Sequence, residues 1–184
     1  MHAITIVTPV KNPPNIKAFI EGNSPLFKQH LLVVIDSGGG EELKQHALVY
    51  RFVDLQMHSA RKLGYGDIRT PFTLNLDADT VLPPNFILDA QDLLESGSAA
   101  VVALDYEQLQ GHYAFGASLW RSHLLKELYD YSSELAMSNT LEKIGPSIYA
   151  RLNNGWCECS YMWKKLLERG HRLETLPMRA IHLR

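Results

Sequence analysis

"TLNLDADTVLPP", residues 73–84, ends an apolar run with two aspartates one residue apart, Asp77 and Asp79. Two ionised carboxylates this close repel each other, so the pair costs free energy unless a cation, a proton or solvent neutralises it. Three readings follow from the tripeptide alone. It is a solvated turn after a strand, which Asp and Pro favour for backbone reasons. It is a clamp for a divalent metal that carries a phosphorylated substrate. Or it is a nucleophile and acid pair of the kind used in phosphoryl transfer. The choice depends on what surrounds the stretch.

Upstream, "AITIVTPV" is a β-branched run closed by "KNPPN", which predicts a buried first strand, a loop and a helix from about Asn15. "LLVVID" predicts a second strand ending at Asp36 and "SGGG", with "EELKQHA" as a short helix after it. A strand that ends in a carboxylate and glycines suits backbone approaching a ligand closely. "LVYRFVDL" predicts a third strand, "MHSARKLGYGDIR" a helix carrying Arg61 and Lys62, and "FTLNLD" a fourth strand.

Downstream, "PPNFILDAQDLLES" predicts a helix, "AAVVALDY" and "GHYAFGASLWR" two further strands, and "SHLLKELYDYSSELA" a helix. "MSNTLEKIGPSIYARLNNGW" is less regular. "CECSYMWKKLLERG" predicts a helix closed by Gly170, and "HRLETLP" a last strand before the tail "MRAIHLR". Strands alternating with helices argue for an α/β domain with a mostly parallel twisted sheet flanked by helices on both faces. Ligands of such sheets bind at the carboxyl ends of the strands. Thr8, Asp36 and the pair Asp77/Asp79, each near the end of a different strand, are expected to converge there if the strand order allows.

The whole chain narrows the partners. Its 184 residues, 46% of them apolar, suit one domain with a real core, residues 1–184. Eighteen basic and 20 acidic residues leave a net charge of −2, which offers no footprint for nucleic acid or an anionic membrane. No basic leader and no run of about 18 apolar residues is present, so a cytoplasmic protein without a transmembrane segment is expected. Cys157 and Cys159, one residue apart, are too close for an ordinary disulfide and are expected to be reduced thiols.

In their order these blocks resemble the family 2 glycosyltransferases, nucleotide-sugar-dependent enzymes with the GT-A fold. "TIVTPVKN" is similar to the family's first nucleotide-binding strand, and "VVIDSGGGEE" to its "vvDDgStD" block, with Asp36 at the first aspartate. "SARKLGYGDIRTPFTLNLDADTVLPPNFI" is similar to the stretch where an "a-R-N-x-G" helix leads into the "l-D-a-D" metal motif. "ECSYMWKKLLERGHRLETLP" resembles the late acidic block of the family. The chain departs from the pattern at Ser37, where a second aspartate is common, at Lys62, where asparagine is usual, and at Cys159, which replaces an aspartate beside Glu158. The Q-x-x-R-W motif and membrane helices of processive members are missing from this sequence, so a short, non-processive transferase is expected.

The resemblance implies a role for each residue. Asp79 would ligate Mn2+ or Mg2+ directly, and Asp77 would reach the ribose or the metal through water. Asp36, Thr8 and Pro9 would line the nucleotide pocket, and Arg61 would offer a fork to phosphate or carboxylate. Glu158 would be the general base that takes the proton of the acceptor hydroxyl in an inverting transfer. His182 would add a metal ligand, and imidazole suits manganese. Trp156 could stack on a sugar, and the "GASLWRSH" segment with Trp120 and His123 would belong to the acceptor side. About residues 1–105 would hold the nucleotide-sugar (UDP-, GDP- or dTDP-linked), and about 106–184 a glycan, lipid-linked or protein acceptor.

Each residue also has a plainer reading. Asp36 could cap the following helix, Arg61 could be an exposed helical arginine, Glu158 a helix-start acid, His182 a surface histidine, and Thr80 to Leu82 a simple turn. "DADTVL" also fits the signature of haloacid dehalogenase-type phosphatases, with Asp77 as nucleophile and Asp79 as acid. That family carries the signature on its first strand, whereas three predicted strands precede it here. A non-catalytic nucleotide-sugar binding module is the third possibility, suggested by Ser37 and Cys159.

Overall fold

The computed structural model describes residues 4–106, 109–129 and 158–183. Along the chain run β1 (Thr5–Val10), α1 (Ile16–Gln29), β2 (Leu31–Asp36), β3 (Val49–Phe52), α2 (Met57–Tyr65), β4 (Phe72–Leu76) and β5 (Thr80–Val81). Then come α3 (Phe86–Glu95), β6 (Val101–Tyr106), β7 (Leu109–Arg121), α4 (Ser122–Leu128), α5 (Glu158–Glu168) and β8 (Leu173–His182). The strands form one sheet in the order β3-β2-β1-β4-β7-β6-β8-β5. β1 pairs in parallel with β2 and β4, as do β2 with β3 and β6 with β8. β7 runs antiparallel to both β4 and β6, and β5 antiparallel to β8.

The mostly apolar runs of β1, β2, β4 and β6 follow from this arrangement, since a strand covered on both faces buries nearly every side chain. Ile4, Ile6, Leu32, Val34 and Leu74 pack under Phe19 and Phe27 of α1 and Phe86 and Leu94 of α3. On the opposite face Val7, Val33, Ile35, Val101 and Phe115 pack under Ala60 of α2, Leu125 of α4 and Met162 and Trp163 of α5. Gly64 lets α2 close onto the sheet: a Cβ there would fall 2.7 Å from Val7 Cγ1 and 3.2 Å from Ile35 Cγ1.

The chain moves outward from β1 to β2 and β3, then returns to place β4 on the other side of β1. That reversal is a topological switch point, where the loops on either side of β1 part and leave a crevice at the carboxyl ends of the strands. Asp36 stands opposite Val10, the last residue of β1, and Asp77 directly follows β4. Both therefore stand at the carboxyl ends of strands that flank β1.

Two local expectations are corrected. Thr80 and Val81 are not a simple turn but a two-residue strand, paired Thr80↔His182 and Val81↔Ile181. β8 does not stop at Pro177; it continues through the tail to His182, because the second half finds partners in both β6 and β5. The short helix expected at "EELKQHA" is a 3₁₀ helix, Glu41–Gln45, with Leu43 in the core. Gly170 does close α5, with φ +74° and its N–H donating to the Leu167 carbonyl at 2.9 Å. The irregular region, Trp156 and Cys157 lie outside the described residues.

Candidate active site

The turn after β4 is fixed from four directions. The Asp77 N–H donates to the Gly116 carbonyl of β7 at 2.9 Å, and the Thr80 N–H donates back to the Asp77 carbonyl at 3.0 Å. Leu183 N–H donates to the Asp79 carbonyl at 2.6 Å. The fourth tie is Asn23 of α1, fully buried, whose side-chain amide donates to the Thr80 carbonyl at 2.9 Å and accepts from the Leu82 N–H at 3.2 Å. Its spacing was the available signal: Phe19, Asn23 and Phe27 recur every four residues on the buried stripe of α1, which is an unusual place for an amide unless it has partners. Sequence reasoning missed it.

With the backbone so held, the two carboxylates face different neighbours. Asp77 meets Arg61 of α2, and the same guanidinium meets Glu158 at the start of α5. Arg61 is not an exposed helical arginine; it is 4% exposed, with its guanidinium 5.2 Å from the Phe115 ring centre. Burial works against its charge most strongly, but Asp77, joined by Tyr129 and Tyr65, holds the guanidinium above its ordinary pKa. Burial pushes the Asp77 carboxyl above the usual carboxylate range, Arg61 pulls it back, and the charge of Asp79 adds to the rise. Glu158 is buried, with Oε1 accepting from the Tyr129 hydroxyl and Oε2 paired to Arg61. Tyr129, another residue not singled out in the sequence, thereby ties α4 to α5.

Asp79 turns the other way. Its Oδ2 lies 3.1 Å from His182 Nε2, and both side chains remain partly open to solvent, 32% and 19% exposed respectively. His182 is thus part of the site rather than a stray surface residue. Its ring lies 4.8 Å from that of Tyr106, whose hydroxyl is 3.0 Å from Thr80 Oγ1.

Asp36 stands apart from this cluster. It is fully buried, and its carboxylate accepts from the N–H groups of Gly38 at 2.7 Å and Gly40 at 3.1 Å and from the Tyr50 hydroxyl at 2.5 Å. It shapes the glycine loop, with Gly38 and Gly39 at φ +130° and +85°, and it does not cap the 3₁₀ turn. Thr8 and Pro9 lie inside β1; the Thr8 hydroxyl is buried and has no hydrogen-bond partner among the described residues. Trp120 and His123 are corrections to the expected acceptor side. β7 is antiparallel to β4, so Leu76 pairs with Ala117 while Phe72 pairs with Arg121, which puts residues 120–123 at the far end of the sheet. Trp120 is fully buried there against Trp163.

The donor set can be tested for a divalent cation. Among the described residues no cluster of three or more His, Cys, Asp or Glu side chains is arranged to hold a metal. Magnesium-type sites, however, take only one or two protein ligands and fill the rest with water and substrate phosphate, in octahedral geometry at about 2.1 Å. Adjacent ligands of such an ion stand about 3.0 Å apart, close to the 3.1 Å between Asp79 Oδ2 and His182 Nε2. The charges agree with this fit: Asp77, Asp79 and Glu158 outnumber the single guanidinium by two, which favours a cation and repels an unaccompanied diphosphate.

No family model matches the sequence, and no curated protein matches it. Solved structures do. Residues 1–349 of S. aureus TarS align over 98% of this chain and 60% of that one, with TM-score 0.64 and 12% identity. The mannosyltransferase PcManGT of Pyrobaculum calidifontis, solved with GDP-Man and Mn2+, aligns over 100% of this chain and 56% of its own, with TM-score 0.66 and 13% identity. Glucosyl-3-phosphoglycerate synthase of Mycobacterium tuberculosis, in complex with phosphoglyceric acid, aligns over 100% and 72%, with TM-score 0.60 and 16% identity. The chain therefore has the GT-A-like fold of these structures, and it spans little more than half the length of the first two. The phosphatase reading loses its support here, because Asp77 follows the fourth strand of this fold rather than the first.

Proposed function

We propose that this chain is a glycosyltransferase that moves a sugar from a nucleotide-sugar donor to an acceptor hydroxyl, with Mn2+ or Mg2+ and with inversion. The observation that carries the reading is the Asp79–His182 pair at the switch-point crevice, with ligand-like spacing beside an excess of carboxylates. Four of the solved neighbours are complexes with UDP-GlcNAc, UDP, GDP-Man or UDP-Glc, two of them with Mn2+, which supports the same class of donor for this fold.

Asp79 and His182 would hold the cation, which when bound neutralises the diphosphate and stabilises the charge that develops on the leaving nucleotide. Asp77, anchored by Arg61, would face the ribose or the cation's water. Asp36 would act through the Gly38–Gly40 loop that it orders, with Thr8 and Pro9 forming the floor beneath the nucleotide. Arg61 holds Asp77 and Glu158 in one frame, so donor side and base side move together. Glu158 would accept the proton of the acceptor hydroxyl; each of its oxygens keeps a lone pair beyond those used by Tyr129 and Arg61. About residues 1–105 would supply the donor half, and about 106–184 the acceptor half together with Glu158 and His182. No helix among the described residues is long and apolar enough to cross a membrane, and cytoplasmic placement belongs to the same proposal.

The test is thermal-shift or calorimetric screening of UDP-, GDP- and dTDP-sugars with and without Mn2+. Metal-dependent stabilisation by one nucleotide class is expected, and none with any of them sinks the proposal. Glu158→Gln should keep that stabilisation and lose transfer. Full transfer by Glu158→Gln would assign the base elsewhere, and donor binding without transfer or hydrolysis by the wild type would mark a binding module.

A further inference from the structure

A cleft lies at the opposite end of the sheet from the proposed active site. α3 and α5 are each followed by a glycine in the left-handed region, Gly97 at φ +77° and Gly170 at φ +74°, and the chain then turns into β6 and β8. Backbone bonds hold the two turns together. The Ala100 N–H donates to the Arg172 carbonyl at 3.0 Å, and the Arg121 N–H, at the end of β7, donates to the Ala100 carbonyl at 3.3 Å. The cleft between them measures about 410 Å³. Arg121 stands four residues along β7 from Ala117, which pairs with Leu76 just before Asp77. At about 3.3 Å per residue, that places the cleft roughly 13 Å from the Asp77/Asp79 turn.

Its lining is the reverse of the acidic active site. Arg121 comes from β7, His123 from α4, and His171 and Arg172 from the turn between α5 and β8, with Ser98 adding a hydroxyl; none of the lining residues is acidic. Helix C-termini attract cations on their own account, and Arg121 answers that need by donating to the Leu94 carbonyl of α3. The neighbouring carbonyls are met by backbone. Leu93 accepts from Ala99 N–H at 3.3 Å, and Lys165, Leu166 and Leu167 of α5 accept from Arg169, His171 and Gly170 at 3.2, 3.1 and 2.9 Å. Capping therefore accounts for Arg121 but not for His123, His171 or Arg172. Arg172 also pairs with Glu174, but the two side chains are 72% and 32% exposed, and exposed pairs of this kind hold weakly.

The donors match one ligand chemistry. A guanidinium bonds phosphate oxygens in pairs, and an imidazole donates at least one N–H in either protonation state. A phosphomonoester carries about two negative charges and three acceptor oxygens near neutral pH, enough to engage several donors at once. The volume lies in the range of small-ligand pockets, and no phenyl, phenol or indole ring lines the cleft to stack on a nucleobase. We propose that this cleft binds a phosphomonoester, carried by a small soluble molecule or by a lipid headgroup, at a site separate from the nucleotide-sugar crevice. The assignment does not depend on the glycosyltransferase function.

The experiment titrates inorganic phosphate and glycerol 3-phosphate into the full chain at neutral pH and constant ionic strength, without divalent cations, and follows the imidazole signals of its eight histidines by NMR. His123→Gln and His171→Gln identify the two signals that matter. Both should shift along one saturable curve. Arg172→Ala and Arg121→Gln should each weaken the affinity by about tenfold or more, the size of one lost bond to a charged partner, and the exposed Arg172 should be replaceable with an unchanged melting temperature. Co-sedimentation with phosphatidylcholine vesicles, with and without phosphatidic acid, separates the two sources. Phosphatidic-acid-dependent binding that Arg172→Ala removes names the headgroup; a response to glycerol 3-phosphate without vesicle binding names a soluble ester. Absence of a saturable shift at His123 and His171, a shift confined to His182, or wild-type affinity in both arginine variants overturns the proposal.

Discussion

His182 Nε2 lies 3.1 Å from Asp79 Oδ2, joining the last strand to a turn more than 100 residues earlier in the chain. Neither residue is held there by its own segment alone: β5 and β8 must pair for the two to meet. Asp79→Ala should abolish Mn2+-dependent stabilisation by a nucleotide-sugar. His182→Ala should weaken it by roughly ten- to hundredfold, the size of one lost interaction with a charged partner at about 1.5–3 kcal/mol. Isothermal titration with and without Mn2+ checks both, and an undiminished metal response in Asp79→Ala would remove Asp79 from the ligand set.

Arg61 stands buried between Asp77 and Glu158, so Arg61→Met leaves two carboxylates facing each other without a cation. Removing one partner of a buried ion pair costs about 3–5 kcal/mol. Urea unfolding should show a loss of that order, with Arg61→Lys in between because a point charge cannot span both carboxylates as a fork does. A loss below 1 kcal/mol in Arg61→Met would mean that the network adds little.

Gly116 provides the space for the Asp77 carboxylate, which occupies the position a Cβ would take. Gly116→Ala should therefore displace Asp77, at a cost of about 1–3 kcal/mol for the overpacking, and weaken nucleotide-sugar binding more than the melting temperature suggests. Wild-type binding in Gly116→Ala would show that Asp77 is free to move without consequence.

Asn23→Ala leaves the Thr80 carbonyl and the Leu82 N–H without their buried partner. Each unsatisfied group costs about 1–3 kcal/mol. The fold should lose about 2 kcal/mol or more, and hydrogen exchange at Thr80 to Leu82 should quicken relative to β1. Unchanged exchange would show that β8 alone fixes β5.

His30, at the end of α1, is 8% exposed, and burial lowers its pKa below the ordinary 6.5. The unfolded chain therefore binds more protons than the fold does just below that pH. Stability is full above about pH 6.5 and is lost as pH falls toward the lowered value. The urea midpoint should drop between pH 7 and pH 5, and His30→Gln should flatten that slope; an equal slope in both proteins would assign the dependence to other groups.

The order of strands and helices was legible because both periods are written locally: short β-branched or apolar runs for β1, β2, β4 and β6, and an apolar stripe for α1, α3 and α5. The Asp77/Asp79 turn was legible for the same reason, as a strand end with two charges that need a counterpart. What surrounds it was not. Arg61 and Glu158 are nearly 100 residues apart in the chain, and their meeting depends on α2 and α5 covering the same face of the sheet. Asp36 carries the expected residue type at the expected strand end, yet its oxygens are spent on Gly38, Gly40 and Tyr50, a partition that only the loop's path determines.

The last strand shows where the division falls. Its sequence, interrupted by Pro177, predicts an ending at that proline, since a proline removes a ladder donor. The fold instead absorbs Pro177 in the irregular pairing with β6 and carries the strand on to His182. Local propensity determined by itself most of the strands and helices, though not β5 or the second half of β8, and where the paired carboxylates lie. Strand order and register, which are set by packing between distant segments, decided which guanidinium, carboxylate and imidazole stand around them.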